Sequence, residues 1–161
     1  MRNWFLGTAA AVVAAAAATA LVVAVVTETR RPDDCRSVDG ALVATITERA
    51  GRGPVEALVA MAVEDRFARG RSSVPYDAYY LIGIRFRTFD GATHSGVWGL
   101  GTNAADRGQD RRLAVVGPID GTSSSLAAIT PGAATWTDWP NRDIPVGETD
   151  PTVVKTVRCL S

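Results

Sequence analysis

The sequence predicts an α+β protein: an N-terminal transmembrane helix, then a small domain with an antiparallel sheet of about four strands and two to three helices on one of its faces. Three stretches carry that prediction. Phe5 to Val26 is a run of 22 uncharged residues; two strand-like runs flank Asp90-Gly91; and Asp150-Pro151 opens a last apolar segment that closes on Cys159. The chain divides into a short cytoplasmic end (1–4), the apolar run (5–26), a connector (27–36) and an extracytoplasmic domain (37–161).

A helix of that length spans roughly 33 Å, enough to cross a hydrocarbon core of about 30 Å. Thr8 and Thr19 are its only polar side chains, and no face of the run is polar, which argues against a surface or core helix. Its many alanines favour helix but add little hydrophobicity, so Leu21 to Val26 supplies most of the driving force. Ala18-Thr19-Ala20 offers a small-residue cleavage site. Cutting there would leave an apolar new N-terminus. A retained single-pass anchor in the cell membrane is therefore the preferred reading, with secretion after cleavage the alternative. Arg2 on one side and Arg30 and Arg31 on the other barely orient the span.

The cysteines orient it better. Cys35 follows the run by nine residues and Cys159 lies near the end of the chain, so a disulfide would clasp both ends of the domain. Closing a loop of 124 residues contributes up to about 5 kcal/mol in the chain-entropy model. Such a bond needs an oxidising compartment, which places the domain outside the membrane; two buried free thiols are the competing reading. The spacing suits neither a redox pair nor a zinc site, and one histidine cannot build a zinc cluster, so no metal or cofactor is expected. All the acidic residues and all the basic ones but Arg2 fall after the run, 17 against 16. That balance gives no reason to expect nucleic acid as a partner.

Along the domain, Val38, Leu42, Ile46 and Ala50 recur at helical spacing, predicting a helix over Ser37 to Ala50 that Gly51 and Gly53-Pro54 stop. Val55 to Glu64 suits helix by composition and strand by its apolar odd positions, with a strand preferred over Leu58 to Val63. Asp65 to Pro75 then reads as an arginine-rich loop containing Phe67. Ala78 to Thr88 is the clearest strand. Tyr80, Ile82, Ile84 and Phe86 share one face, and Tyr79, Leu81, Gly83, Arg85 and Arg87 the other. Asp90-Gly91 signals a hairpin into Thr93 to Gly101. With a two-residue turn, Ile84 would face Val97, Arg87 would face His94, and Gly83 would face Trp98. Arg85, Arg87, His94 and Trp98 would then form one mixed face, a candidate binding surface. Leu113 to Val116 reads as a fourth strand, and Thr122 or Ser123 as the cap of a short helix that Pro131-Gly132 ends. Ala133 to Glu148 reads as irregular. Asp150-Pro151 predicts a cap and first turn for a last helix, with Val153, Val154 and Val157 toward the core.

The segments YYLIGI (Tyr79 to Ile84), GVWGLGTN (Gly96 to Asn103) and TDW (Thr137 to Trp139), followed by the late Cys159, resemble a group of small actinobacterial surface proteins of unknown function. The similarity covers roughly Ala57 to Cys159. Those proteins tend to have Ala where Gly99-Leu100-Gly101 stands and Gly where Pro140 stands. The resemblance implies a membrane-anchored or secreted extracytoplasmic domain and carries no catalytic residues.

No catalytic constellation emerges from the residues. His94 is the sole histidine, and Ser95 beside it would point to the opposite sheet face, so the two cannot pair as base and nucleophile. A small hydrolase using His94 with one of Ser123 to Ser125 is an alternative. Another is a subunit of a membrane complex that packs through Ala10, Ala14 and Ala18. The preferred expectation is a non-catalytic surface module contacting an envelope protein or glycan. Trp136 and Trp139 are candidate aromatic contacts, although covering one end of a small core is their simpler role.

Overall fold

The computed structural model describes residues 32–68, 75–103, 105–107, 112–140 and 146–161. The apolar run Phe5–Val26 lies outside them; among the described residues no helix is long and apolar enough to cross a membrane. The domain is α+β, built on a five-stranded antiparallel sheet. In chain order the elements are β1 (Arg36–Ser37), α1 (Gly40–Thr47), β2 (Val55–Glu64), β3 (Ala78–Thr88), β4 (Thr93–Thr102), β5 (Ala105–Arg107), β6 (Leu113–Val115), β7 (Ser124–Ala128), α2 (Pro131–Trp136) and α3 (Pro151–Arg158). The sheet order is β1-β2-β3-β4-β7, and β5 pairs with β6 in a separate ribbon.

Helices cover both faces, not one. On the first, Tyr80, Ile82, Ile84 and Phe86 of β3 and Trp98 and Leu100 of β4 pack against Leu42 and Ile46 of α1, Leu113, Ala133 of α2, and Trp139. On the second, Leu81 and Val97 pack with Val153 of α3, while Met61 and Val63 pack with Cys159 and Leu160. A bulge in β2 serves both faces. Ala57 pairs with Phe86 but Val59 pairs with Arg85, so Leu58 is the extra residue. The odd-numbered side chains before it, Val55 and Ala57, share the α1 face with Phe86, and the odd-numbered ones after it face α3. This is why the apolar odd positions of Val55 to Glu64 do not line a single face.

The hairpin register differs from expectation by one residue. Ile84 pairs with Gly96, Phe86 with His94, and Gly83 with Val97. Thr88 and Ala92 close a three-residue loop, the Thr88 N–H donating to the Ala92 carbonyl at 2.9 Å, with Gly91 at φ +83°. A type I turn followed by a left-handed glycine gives this loop, whereas the two-residue turn would need positive φ at both central positions. Because side chains alternate, a one-residue slip moves the whole of β4 to the opposite face.

Three further expectations are corrected. Ser124–Ala128 is an edge strand, paired with Trp98–Thr102, where a helix is predicted. Pro131 begins a helix and does not end one: the Thr130 hydroxyl caps α2 by accepting from the Ala133 N–H, with proline in the first turn, where its missing N–H costs nothing. Leu113–Val115 is a strand, but outside the main sheet. Arg36, the last residue expected in the connector, already pairs with Ala62, and Ser37 with Met61. The first helix begins at Gly40, capped by Asp39, and the last is capped by Asp150 with Pro151 in its first turn. Of the last helix's valines only Val153 is buried; Thr156 takes the other core position while Val154 and Val157 are exposed. Gly83 makes room for that helix, since a Cβ there would lie 3.0 Å from the Thr156 methyl.

Cys35 and Cys159 form a disulfide, Cα–Cα 5.8 Å, tying the strand at the sheet edge to the end of α3. Lys155 and Asp34 pair next to it, and the Lys155 ammonium, as hydrogen-bond donor, holds the Asp34 carboxyl below the ordinary carboxylate range.

Candidate functional site

The four residues of the candidate binding face do not share a face. Arg85 and Arg87 project toward α3, whereas His94 and Trp98 project toward α1 and α2. Each has a local role. The Arg85 guanidinium donates to the Leu160 carbonyl, in the turn that closes α3, where carbonyls lack helical partners. Arg87 pairs with Glu56 across β2 and β3 at 3.1 Å, an exposed pair. Trp98 is core, as a helix over this face requires: it is 1% exposed, and its indole N–H donates to the Thr137 hydroxyl at 3.0 Å.

His94 belongs to a different group. Its ring lies 5.0 Å from Trp136 and 6.0 Å from Phe86, and Phe86 touches Trp98 and Trp136 edge-on or tilted. Such tilted arrangements suit the ring quadrupoles. Phe86 and Trp98 are buried, while His94 and Trp136 are half-buried and open to solvent. Arg52 stands 5.9 Å over the Trp136 ring. Beside it, Trp139 is covered by Arg49 at 4.4 Å, and its indole N–H donates to the Ile46 carbonyl at 3.0 Å. The Asp138 N–H donates to the Arg49 carbonyl, so residues 138–139 satisfy carbonyls at and beyond the end of α1. Trp139 therefore covers the core, as its simpler role predicts. Trp136 presents part of its ring outward with His94 and Arg52 beside it.

This aromatic pole sits where β2 begins and β4 begins. The other end of the sheet carries Glu64, Asp77, Ala78 and the chain's approach through Asp34. Strand β3 separates the two ends by about 35 Å. At that second end lies a groove of about 400 Å³ lined by Asp34, Arg36, Glu64, Arg66, Phe67 and Lys155, among others. Its charges are largely matched: Arg36 pairs with Glu64 at 3.6 Å, and Lys155 with Asp34.

His94 has no serine of the expected triplet near it. Ser124 pairs with Thr102, eight residues along β4 from His94 or about 26 Å, and its hydroxyl is hydrogen-bonded to that of Thr102 at 2.6 Å. Ser95 stands on the opposite face, paired with Arg85. Among the described residues no three of His, Cys, Asp and Glu converge on a common point where a metal would bind. Around His94 and Trp136 the described residues offer ring stacking and a nearby cation. Sequence reasoning found His94, Trp136 and Trp139 separately but missed that His94 meets Trp136, because α2 was not legible. Arg49 and Arg52 gave no signal beyond ordinary helix-end cations.

No family model matches the chain, and neither the curated proteins nor the solved structures contain a match to it.

Proposed function

We propose that the chain is a single-pass, membrane-anchored extracytoplasmic protein whose domain is a non-catalytic binding module. In this reading it belongs with the small actinobacterial surface proteins that its strand and tryptophan segments resemble. The anchor rests on the length and apolarity of Phe5–Val26. The outward placement rests on the disulfide, which persists in oxidising compartments.

One observation carries the binding reading: His94 and Trp136 stack at 5.0 Å, half-open to solvent, at the end of the sheet farthest from Asp34. An anchored domain thus holds this pole away from the bilayer. The open patch is small, part of one indole and one imidazole, with Arg52 beside the indole. A stable protein interface needs roughly 800 Å² per partner, whereas a sugar ring needs only one aromatic face and a few hydrogen-bond donors. The ligand class is therefore an envelope glycan. The test is co-sedimentation of the full chain, in detergent micelles, with an insoluble envelope glycan fraction. Trp136→Ala and His94→Ala should each reduce the bound fraction while the disulfide stays intact. Unchanged binding by both variants would refute the assignment, and loss only after protease treatment of the envelope would point to a protein partner.

A further inference from the structure

We infer that Phe67 is a bilayer-contacting residue, seating the membrane-proximal end of the domain at the headgroup boundary. The inference rests on the anchor reading above and adds to it a second point of lipid contact. Phe67 is 74% exposed, the most open large apolar side chain among the described residues. Its exposure is enforced from both sides. Asp65, only 2% exposed, accepts the Phe67 N–H at 3.0 Å, and its own N–H donates to the Tyr79 carbonyl at 2.9 Å. Ala68 is fully buried against Tyr76 and Tyr79. Those two rings meet edge to face at 5.9 Å, and the Tyr79 hydroxyl accepts the Tyr76 N–H at 3.0 Å. With Asp65 and Ala68 held on either side of it, the Phe67 ring stands outside the core clusters.

Its position supplies the partner. Phe67 and Asp34 line the same groove, and Asp34 is tied to α3 through Lys155 and the adjacent disulfide. From Val26 to Pro32 the chain reaches at most about 20 Å, whatever its conformation. An anchored domain must therefore keep this groove close to the bilayer, and Phe67 is the apolar side chain that it presents there. The charges around it favour a lipid boundary without demanding anionic lipid. Glu64 and Asp34 are neutralised by Arg36 and Lys155; Arg66 makes no ion pair among the described residues; Asp33 and Asp77 stand exposed nearby. The contact is an apolar wedge flanked by polar side chains, the arrangement of interfacial segments. Phe89, 71% exposed at the hairpin tip, lies at the opposite end of the sheet and serves as the internal comparison.

The full chain carrying Phe67→Cys has one free thiol, since the native pair is joined, and accepts an environment-sensitive fluorophore. In zwitterionic vesicles, the probe at position 67 should shift to shorter wavelength and lose emission to nitroxide-bearing lipid, while the same probe in Phe89→Cys should do neither. A chain that floats with the vesicles while its position-67 probe stays in water overturns this inference alone. A chain that fails to float overturns the anchor reading and this inference with it. A shift seen in native membranes but not in pure lipid assigns the wedge to a protein partner and also overturns it.

Discussion

The indole of Trp98 lies back over Gly96, two residues earlier on the same strand: a Cβ added to that glycine would stand 2.5 Å from Cη2 of the ring and 3.0 Å from the Cα of Ala133. A second glycine completes the contact from the helix side, since a Cβ at Gly132 would meet the Ser95 carbonyl oxygen at 2.2 Å. These two positions let α2 approach β4 closely enough to bring Trp136 against His94. Gly96→Ala and Gly132→Ala should each destabilise the domain by about 1–3 kcal/mol through overpacking. Gly40→Ala, in the exposed first turn of α1 with open space around it, should instead stabilise by about 0.4–1 kcal/mol. Urea unfolding of the oxidised proteins distinguishes the two outcomes.

The β3–β4 hairpin should weaken in acid. The Thr88 hydroxyl and, next, the Ala92 N–H donate to the Asp90 carboxylate and hold it below the ordinary value of 3.8. The Thr122 and Ser123 N–H groups do the same for Asp120. A carboxyl whose folded-state pKa is depressed is ionised more readily in the folded chain, so its contribution is present above the unfolded-state value. It is lost as pH falls through the folded-state value. The stability difference between the parent chain and Asp90→Asn should therefore be largest at neutral pH and shrink as pH falls below 3.8. A difference that stays constant across the range would contradict the assignment.

How much of this architecture the sequence reveals depends on whether local chemistry or tertiary pairing decides each element. Strand β3 is legible from Ala78 to Thr88 because alternating aromatic and β-branched residues leave no competing period. Helix α3 is legible because Asp150-Pro151 combines a cap with a fixed first φ, and the disulfide because the two cysteines bracket the domain. Register is not legible, since Asp90-Gly91 serves both a two-residue turn and a three-residue loop with glycine at its end. That ambiguity of one residue separates Arg85 and Arg87 from His94 and Trp98. Ser124–Ala128 reads as helix behind a Thr122 or Ser123 cap and becomes a strand because Trp98 to Thr102 offer it an edge. Pro131-Gly132 reads as a stop because a proline before a glycine usually marks a turn, yet Thr130 supplies the cap that makes it a start.

Removing the clasp should cost more than any single surface change. The bond links residues 124 apart and anchors a strand of only two residues at the sheet edge. Cys35→Ser/Cys159→Ser should lower the unfolding free energy by about 2–5 kcal/mol, measured in urea against the oxidised parent. The reduced parent should match the double variant.

The most direct test of the account is thiol labelling on intact cells that express the full chain, using a membrane-impermeant maleimide with and without an impermeant reductant. With the chain in the membrane fraction, Cys35 and Cys159 should resist labelling until reductant is added and then label from outside the cell. Labelling of both thiols without reductant, or only after the cells are broken, would contradict an exported, disulfide-closed domain.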